Sequence, residues 1–198
     1  MSIITAFLVV LNFVVTLTYF HKDEPREFLF YPYQLRRGKG IRGWLYAHFS
    51  HGGWAHFLFN MVALYSFGQG LEMVSPTALI VTYVVSGLAA DAAVMLMRSN
   101  DPHYACLGAS GSISGVVLTT IVFFPNISVG LLLLPIGIPG PLFAVLYIGL
   151  SLYLMRVTPY GISHEAHLGG AVAGLIIGAI MAPLGLSPLL DYFIGFLR

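Results

Sequence analysis

Four side chains able to serve as nucleophile, base or hydrogen-bond donor sit in stretches that are otherwise hydrocarbon. His56 and Asn60 bracket "HFLFN", Ser110 stands between Ala109 and Gly111 in "LGASGSISGVVL", and His167 opens "HLGGAVAGLIIGAI". A serine hydroxyl beside a neutral imidazole is the smallest set that makes an activated nucleophile. Acyl transfer also needs donors for the developing oxyanion. His56 and Asn60 can supply them as side chains, and backbone N–H groups at a helix start near Ser110 lack intrahelical partners. Glu165 lies two residues from His167, which on a helix points it elsewhere, so the pattern spells a Ser–His dyad rather than a triad.

Other chemistries fit less well. "HEAH" (164–167) puts His164 and His167 one turn apart, but the zinc-protease pattern needs histidines at i and i+4, so no metal site is expected. His48 and His51 read as residues that fix a loop, and His103 carries no signal. Ser112 reads as a packing residue; Ser114, one turn below Ser110, is a second candidate nucleophile. A buried Asn or His can also simply join membrane helices, at about 0.6–2 kcal/mol per bond. Two histidines, an asparagine and a glycine-flanked serine at one depth are harder to explain that way.

That common depth comes from the elements that carry them. The chain has 198 residues, 58% hydrophobic and only 9% charged, against about 25% charged in soluble domains. Apolar stretches of about 20 residues can cross a bilayer as helices. Six are expected, at 3–20, 54–72, 77–97, 107–124, 141–156 and 164–182. Continuous apolar runs exclude a barrel, which would alternate. The first run has no basic leader and no small-residue cleavage site, so it is expected to be retained. A net charge of +1 gives no nucleic-acid footprint, and the single cysteine, Cys106, allows no internal disulfide.

Six spans place loops one, three and five on one side, and spans two, four and six enter from that face. His56, Ser110 and His167 all lie near those entries; Asn60 is four residues beyond His56, on the same helix face and about 6 Å deeper. Intramembrane polar residues are functional candidates by default. Gly170, Gly174 and Gly178 recur every fourth residue, as do Gly111 and Gly115. Such stripes let membrane helices approach closely. If the two face each other, Ser110 meets His167.

The long first loop, 21–53, mixes charges with Phe28, Phe30, Tyr31, Tyr33, Trp44 and Tyr46 and is expected to fold on the membrane surface. The fourth, 125–141, is apolar but broken by Pro and Gly, so an extended or re-entrant segment is expected. The tail after 182 is expected to form an amphipathic surface helix. Eight of the nine Lys and Arg residues lie in or beside the odd loops, which by the positive-inside rule would make that face cytoplasmic.

These residues resemble the rhomboid family of intramembrane serine proteases. Gly108-Ala109-Ser110-Gly111 matches its GxSG motif, His56 and Asn60 its HxxxN motif, and "AHLGGAVAG" (166–174) its AHxxGxxxG motif. The likeness runs from about 41 to 182. It implies an all-α membrane protein, a six-helix rhomboid-like bundle with a large interfacial first loop, as one domain over 1–198 with a short tail at 183–198. It implies Ser110 as nucleophile and His167 as general base, with His56, Asn60 and the Ser110 N–H holding the oxyanion and Gly108 shaping the turn. No metal or other cofactor is implied. The partners would be the lipid bilayer and transmembrane protein substrates, cleaved in or near their spans, with entry by the fifth helix and fifth loop into a wet cavity. Glu72 matches an acidic residue that anchors the first loop. A bacterial cytoplasmic (inner) membrane is the implied location. The termini would be cytoplasmic and the catalytic face outward, against the charge bias, with loop cations paired to Asp23, Glu24 and Glu27. Two departures stand out: Ser114 replaces an aromatic that in the family stacks on the histidine, and the Trp-Arg pair of the first loop is rearranged around Trp44 and Arg42. A catalytically inactive, client-binding relative is one alternative. A small transporter or proton relay through His56, Asn60 and His167 is another, weakened by the lack of a buried carboxylate other than Asp91 and of two broken helices.

Overall fold

The computed structural model describes residues 2–22, 25–131, 134–158 and 161–195. Helix α1 spans Ile3–Phe20 and is followed by a 3-10 turn, Pro25–Phe28. Two short helices, α2 (Pro32–Leu35) and α3 (Ile41–Ala47), complete the first loop. Then come α4 (Trp54–Val74), α5 (Pro76–Arg98) and α6 (Ser110–Phe123). A two-stranded antiparallel hairpin, β1 (Ser128–Leu131) and β2 (Leu134–Pro139), leads into α7 (Gly140–Val157). Helix α8 (His164–Met181) and the tail helix α9 (Ser187–Gly195) finish the chain.

The six expected spans all appear as helices, with small shifts at their ends. Four of them, α1, α5, α7 and α8, are each long and apolar enough to cross a membrane. The other two depart for a physical reason. Helix α4 carries His56, Asn60, Gln69 and Glu72, which lower its hydropathy. Helix α6 has only 14 residues, about 21 Å of helix against about 30 Å of hydrocarbon. It starts at Ser110 rather than 107 because Gly108 is left-handed, with φ of 130°, which no right-handed helix accepts.

Packing is tightest where glycines meet. A Cβ on Gly170 would collide with the carbonyl oxygen of Gly111, and one on Gly174 with that of Gly115. Gly169 lies against the Ala89 carbonyl and the Ala93 side chain of α5. Helix α8 is therefore wedged between α5 and α6; the four-residue glycine spacing predicts the contact with α6, whereas the contact with α5 through Gly169 was not expected from it. Every residue from Gly111 to Val122 is buried. Thr119 Oγ1 donates to the Gly174 carbonyl at 2.8 Å, a polar bond across the apolar seam.

The first loop is anchored to the rest of the molecule. Phe30 and Cys106 exchange backbone hydrogen bonds at 2.9 and 3.1 Å, tying loop one to loop three. Phe28 and Phe30 are buried rather than spread on a surface. Trp44 Nε1 donates to Asp91 of α5 at 2.7 Å, and His48 Nε2 meets the same carboxylate at 2.9 Å. His48 thus fixes the loop, as its position suggests. Lys22 pairs with Glu27 at 3.5 Å; Asp23, Glu24 and Arg198 lie outside the described residues.

The fourth connection is extended, as its Pro- and Gly-broken sequence suggests, and takes the form of a β-hairpin. One expectation needs correction. Glu72 does not anchor the first loop. Near the far end of α4, it accepts the N–H groups of Ile4 and Thr5 and the Thr5 hydroxyl, at 2.9, 2.9 and 2.7 Å. A carboxylate on the free N–H groups of α1 is electrostatically well placed there, and the first loop is on the opposite face.

Candidate active site

Ser110 is the first residue of α6, and no side chain caps that helix. Its own N–H and those of Gly111 and Ser112 precede the first intrahelical bond, Ile113 N–H to the Ala109 carbonyl at 3.0 Å. They are free donors around the hydroxyl. The turn before them is fixed from outside by the Gly108 N–H, which donates to the Ala47 carbonyl of α3 at 2.8 Å.

His167 lies in the first turn of α8. Ser163 caps that helix, its Oγ accepting the Ala166 N–H at 3.4 Å. With α6 and α8 in glycine contact, His167 Nε2 comes to 2.8 Å from Ser110 Oγ. The expected meeting of the two residues is therefore present. Glu165 points away and is buried against Arg98 of α5: Nε donates to Oε1 at 2.5 Å, and a second guanidinium nitrogen contacts the same oxygen. Tyr104 O–H donates to Ser163 Oγ at 2.8 Å, adding a polar bond at the start of α8. Asp91 is engaged by Trp44 and His48. Both nearby carboxylates are thus committed elsewhere.

The tautomer of His56 follows from its backbone partner. The Gly52 N–H donates to His56 Nδ1 at 3.4 Å, so Nδ1 accepts and the proton of the neutral ring sits on Nε2. That donor faces the serine turn: a Cβ on Gly108 would lie 2.9 Å from His56 Nε2 and 3.6 Å from Ser110 Oγ. Gly108 keeps that space open. Asn60 is buried, and its Nδ2 has no partner among the described residues. A buried donor left unpaired costs about 1–3 kcal/mol, and this one lies beside Ser110 at a cavity wall.

Behind His56 stands a second imidazole. Thr16 Oγ1 gives its proton to the Phe49 carbonyl at 3.1 Å and therefore accepts from His51 Nδ1 at 2.9 Å. The His51 ring packs edge-on to His56 with centroids 5.0 Å apart. Burial drives the His51 pKa down to about 3, with His56 adding to the shift, so this ring is neutral. Cys106 is no rival nucleophile, because burial pushes its thiol up to about 12.

Two cavities meet at the dyad. One, about 580 Å³, is lined by His48, His56, Asn60, Gly108, Ser110 and His167 under the odd loops. The other, about 940 Å³, runs between α4, α6, α7 and β1 past Phe59, Ser114, Phe143 and Tyr147. Ser110, His167, Asn60 and Phe59 border both.

Ser112 and Ser114 are placed differently from Ser110. Ser112 is buried and sits against Gly87 of α5, away from His167. Ser114 donates to the Ser110 carbonyl at 2.6 Å and contacts Tyr147 Oη at 2.5 Å, so its hydroxyl is fully engaged. Two contributors escaped the sequence reading. Arg98 carries no local signal for its role, and the signal for Tyr147 is a lone phenol inside the apolar run "AVLYIGL".

A family model described as a Rhomboid domain matches residues 38–184 of the chain. No curated protein and no solved structure matches it.

Proposed function

Because the chain belongs to the rhomboid family, a multi-pass membrane family that holds both intramembrane proteases and inactive members, we propose that it is an active serine endopeptidase cleaving peptide bonds in or near transmembrane segments. The observation that carries this is the 2.8 Å contact between Ser110 Oγ and His167 Nε2 at the junction of two cavities.

The chemistry follows from the donors and acceptors. Ser110 Oγ attacks the carbonyl carbon of the scissile peptide while its proton passes to His167 Nε2. The carbonyl oxygen becomes an anion held by the Nε2–H of His56, the amide of Asn60 and the free N–H groups at the start of α6. His167 then returns the proton to the leaving amine as the C–N bond breaks, leaving an acyl-serine. A water from the cavity, deprotonated by the same imidazole, attacks the ester; as the C–O bond to Ser110 breaks, His167 returns the proton to Oγ and the acid is released. A helical substrate must first unwind locally, since its carbonyls are otherwise bonded within the helix.

Asn60, whose Nδ2 has no partner among the described residues, borders both cavities beside Ser110 and supports the active reading. The domain is taken as 1–198, with no cofactor. It would sit in a bacterial inner membrane with its odd loops outward. Reporter fusions at the C-terminus should read cytoplasmic.

The deciding experiment is cleavage of a model transmembrane substrate in proteoliposomes by the wild type, Ser110→Ala and His167→Ala. Both variants should lose at least about a thousandfold in rate while keeping the wild-type melting profile. A fluorophosphonate should label Ser110 in the wild type only. Absence of both cleavage and labelling would assign the chain to the inactive branch.

A further inference from the structure

The base is held by an element other than the two that carry the dyad. Tyr147 lies on α7, and its ring stacks on the His167 imidazole with centroids 6.3 Å apart and planes 26° from parallel. That is within the range where offset aromatic pairs attract. Phe143, one turn earlier on α7, stacks on Tyr147 in turn, at 5.7 Å and 21°. The Tyr147 hydroxyl is itself fixed. Ser114 has one proton, and it goes to the Ser110 carbonyl at 2.6 Å. Tyr147 O–H must therefore be the donor in its 2.5 Å contact with Ser114 Oγ. The bonds run from α7 through Ser114 back to the residue that bears the nucleophile.

We propose that Tyr147 is the positioning residue of the general base: its ring sets the plane of His167, and its hydroxyl, latched to Ser114, sets the ring. This rests on the reading of Ser110 and His167 as the catalytic pair. It gives Ser114, too small to stack on the imidazole itself, the task of anchoring an aromatic supplied by another helix. It also makes alignment of the dyad depend on the seating of α7, the most thinly packed helix at the site.

The full-length protein in detergent micelles tests this with Tyr147→Leu, Tyr147→Phe, Ser114→Ala and the Ser114→Ala/Tyr147→Phe double variant. Three readouts are needed: kcat and KM for a transmembrane substrate, the rate of Ser110 phosphonylation by a small soluble fluorophosphonate, and the NMR shifts of the His167 ring protons in a Ser110→Ala background. Tyr147→Leu should lower both kcat and phosphonylation about tenfold, with KM within about twofold of wild type. Tyr147→Phe and Ser114→Ala should each lose about threefold. The double variant should be no worse than either, because one latch is broken in all three. The ring-current shift on His167 should vanish in Tyr147→Leu and persist in Tyr147→Phe, which also serves if the leucine variant does not fold. Slower cleavage with unchanged phosphonylation would overturn the proposal, since Tyr147 would then be touching substrate. A His167 ring indifferent to Tyr147→Leu would overturn it as well. Cleavage surviving in Ser110→Ala would instead overturn the catalytic pair itself, an outcome no variant at 147 can produce.

Discussion

The α5–α6–α8 seam and the α7 wall border the same dyad and are built in opposite ways. In the seam, glycine backbones touch and α6 is buried from Gly111 to Val122. On α7 the buried residues are only Gly140, Pro141, Ala144 and Ser151, and Gly149 has open space where a Cβ would go. Rigid packing gives the nucleophile and the base a fixed separation, which proximity catalysis requires. Loose packing leaves a wall of mostly half-buried and exposed residues along the larger cavity. On the proposed function, a site exact in its chemistry must still admit a polypeptide, and the two kinds of packing serve those two needs.

The largest effect should come from removing a charge in the seam. Arg98→Met strands the Glu165 carboxylate, which is only 2% exposed. Breaking one partner of a buried pair costs about 3–5 kcal/mol. The start of α8, and His167 with it, should lose its fixed position, seen as a much lower melting temperature and little cleavage; Arg98→Met/Glu165→Gln should recover most of the stability.

Next is Gly170→Ala. The added Cβ must push α8 off the Gly111 carbonyl, and overpacking of this kind costs about 1–3 kcal/mol. Because it also lengthens the Ser110–His167 contact, activity should fall further than the melting temperature implies. Equal losses in the two measurements would mean that the seam only stabilises and does not align.

On the α4 side, His51 should show itself through pH. Its folded pKa of about 3 lies below the unfolded value of about 6.5. The unfolded chain therefore binds the extra proton first. Stability from this group is complete above about pH 6.5 and declines towards pH 3, by about 1.4 kcal/mol per pH unit. His51→Asn keeps a donor for Thr16 but cannot titrate, so thermal inactivation should depend less steeply on pH in that window. An unchanged slope would place the titration elsewhere.

The smallest effect, and the sharpest contrast with Gly170, is expected at Gly149→Ala. With nothing within 4 Å to strike, the methyl should leave stability within about 1 kcal/mol of wild type, towards a gain from helix propensity. A large loss there would show that α7 is packed as tightly as the seam.

Much of the seam was legible in the chain. Glycine at every fourth position means a close approach wherever it occurs, and it named both partners and the residues brought together, Ser110 and His167. The six helices followed from apolar length, but the start of α6 at Ser110 did not: the expected span began at 107, and the left-handed Gly108 cuts it short. Less was legible where a residue's role depends on a partner distant in sequence. Glu72 could have served either end of the molecule until α1 was seen to place its free N–H groups there. Loop four could be recognised as irregular, but not as a hairpin, since apolar residues broken by Pro and Gly suit several extended forms.

What the sequence alone determined is therefore the inventory and its periodicity: membrane helices, a glycine seam, and a serine, two histidines and an asparagine near one face. Those follow from local rules, the length of a span and the 3.6-residue turn, which need no knowledge of the rest of the chain. Only the tertiary structure decided which groups would be free and which committed. Arg98 on Glu165 and Tyr147 on His167 are set by contacts across helices, and Asn60 Nδ2 is left without a partner among the described residues; a hydrogen bond is defined by where its partner lies rather than by where that partner falls in the chain.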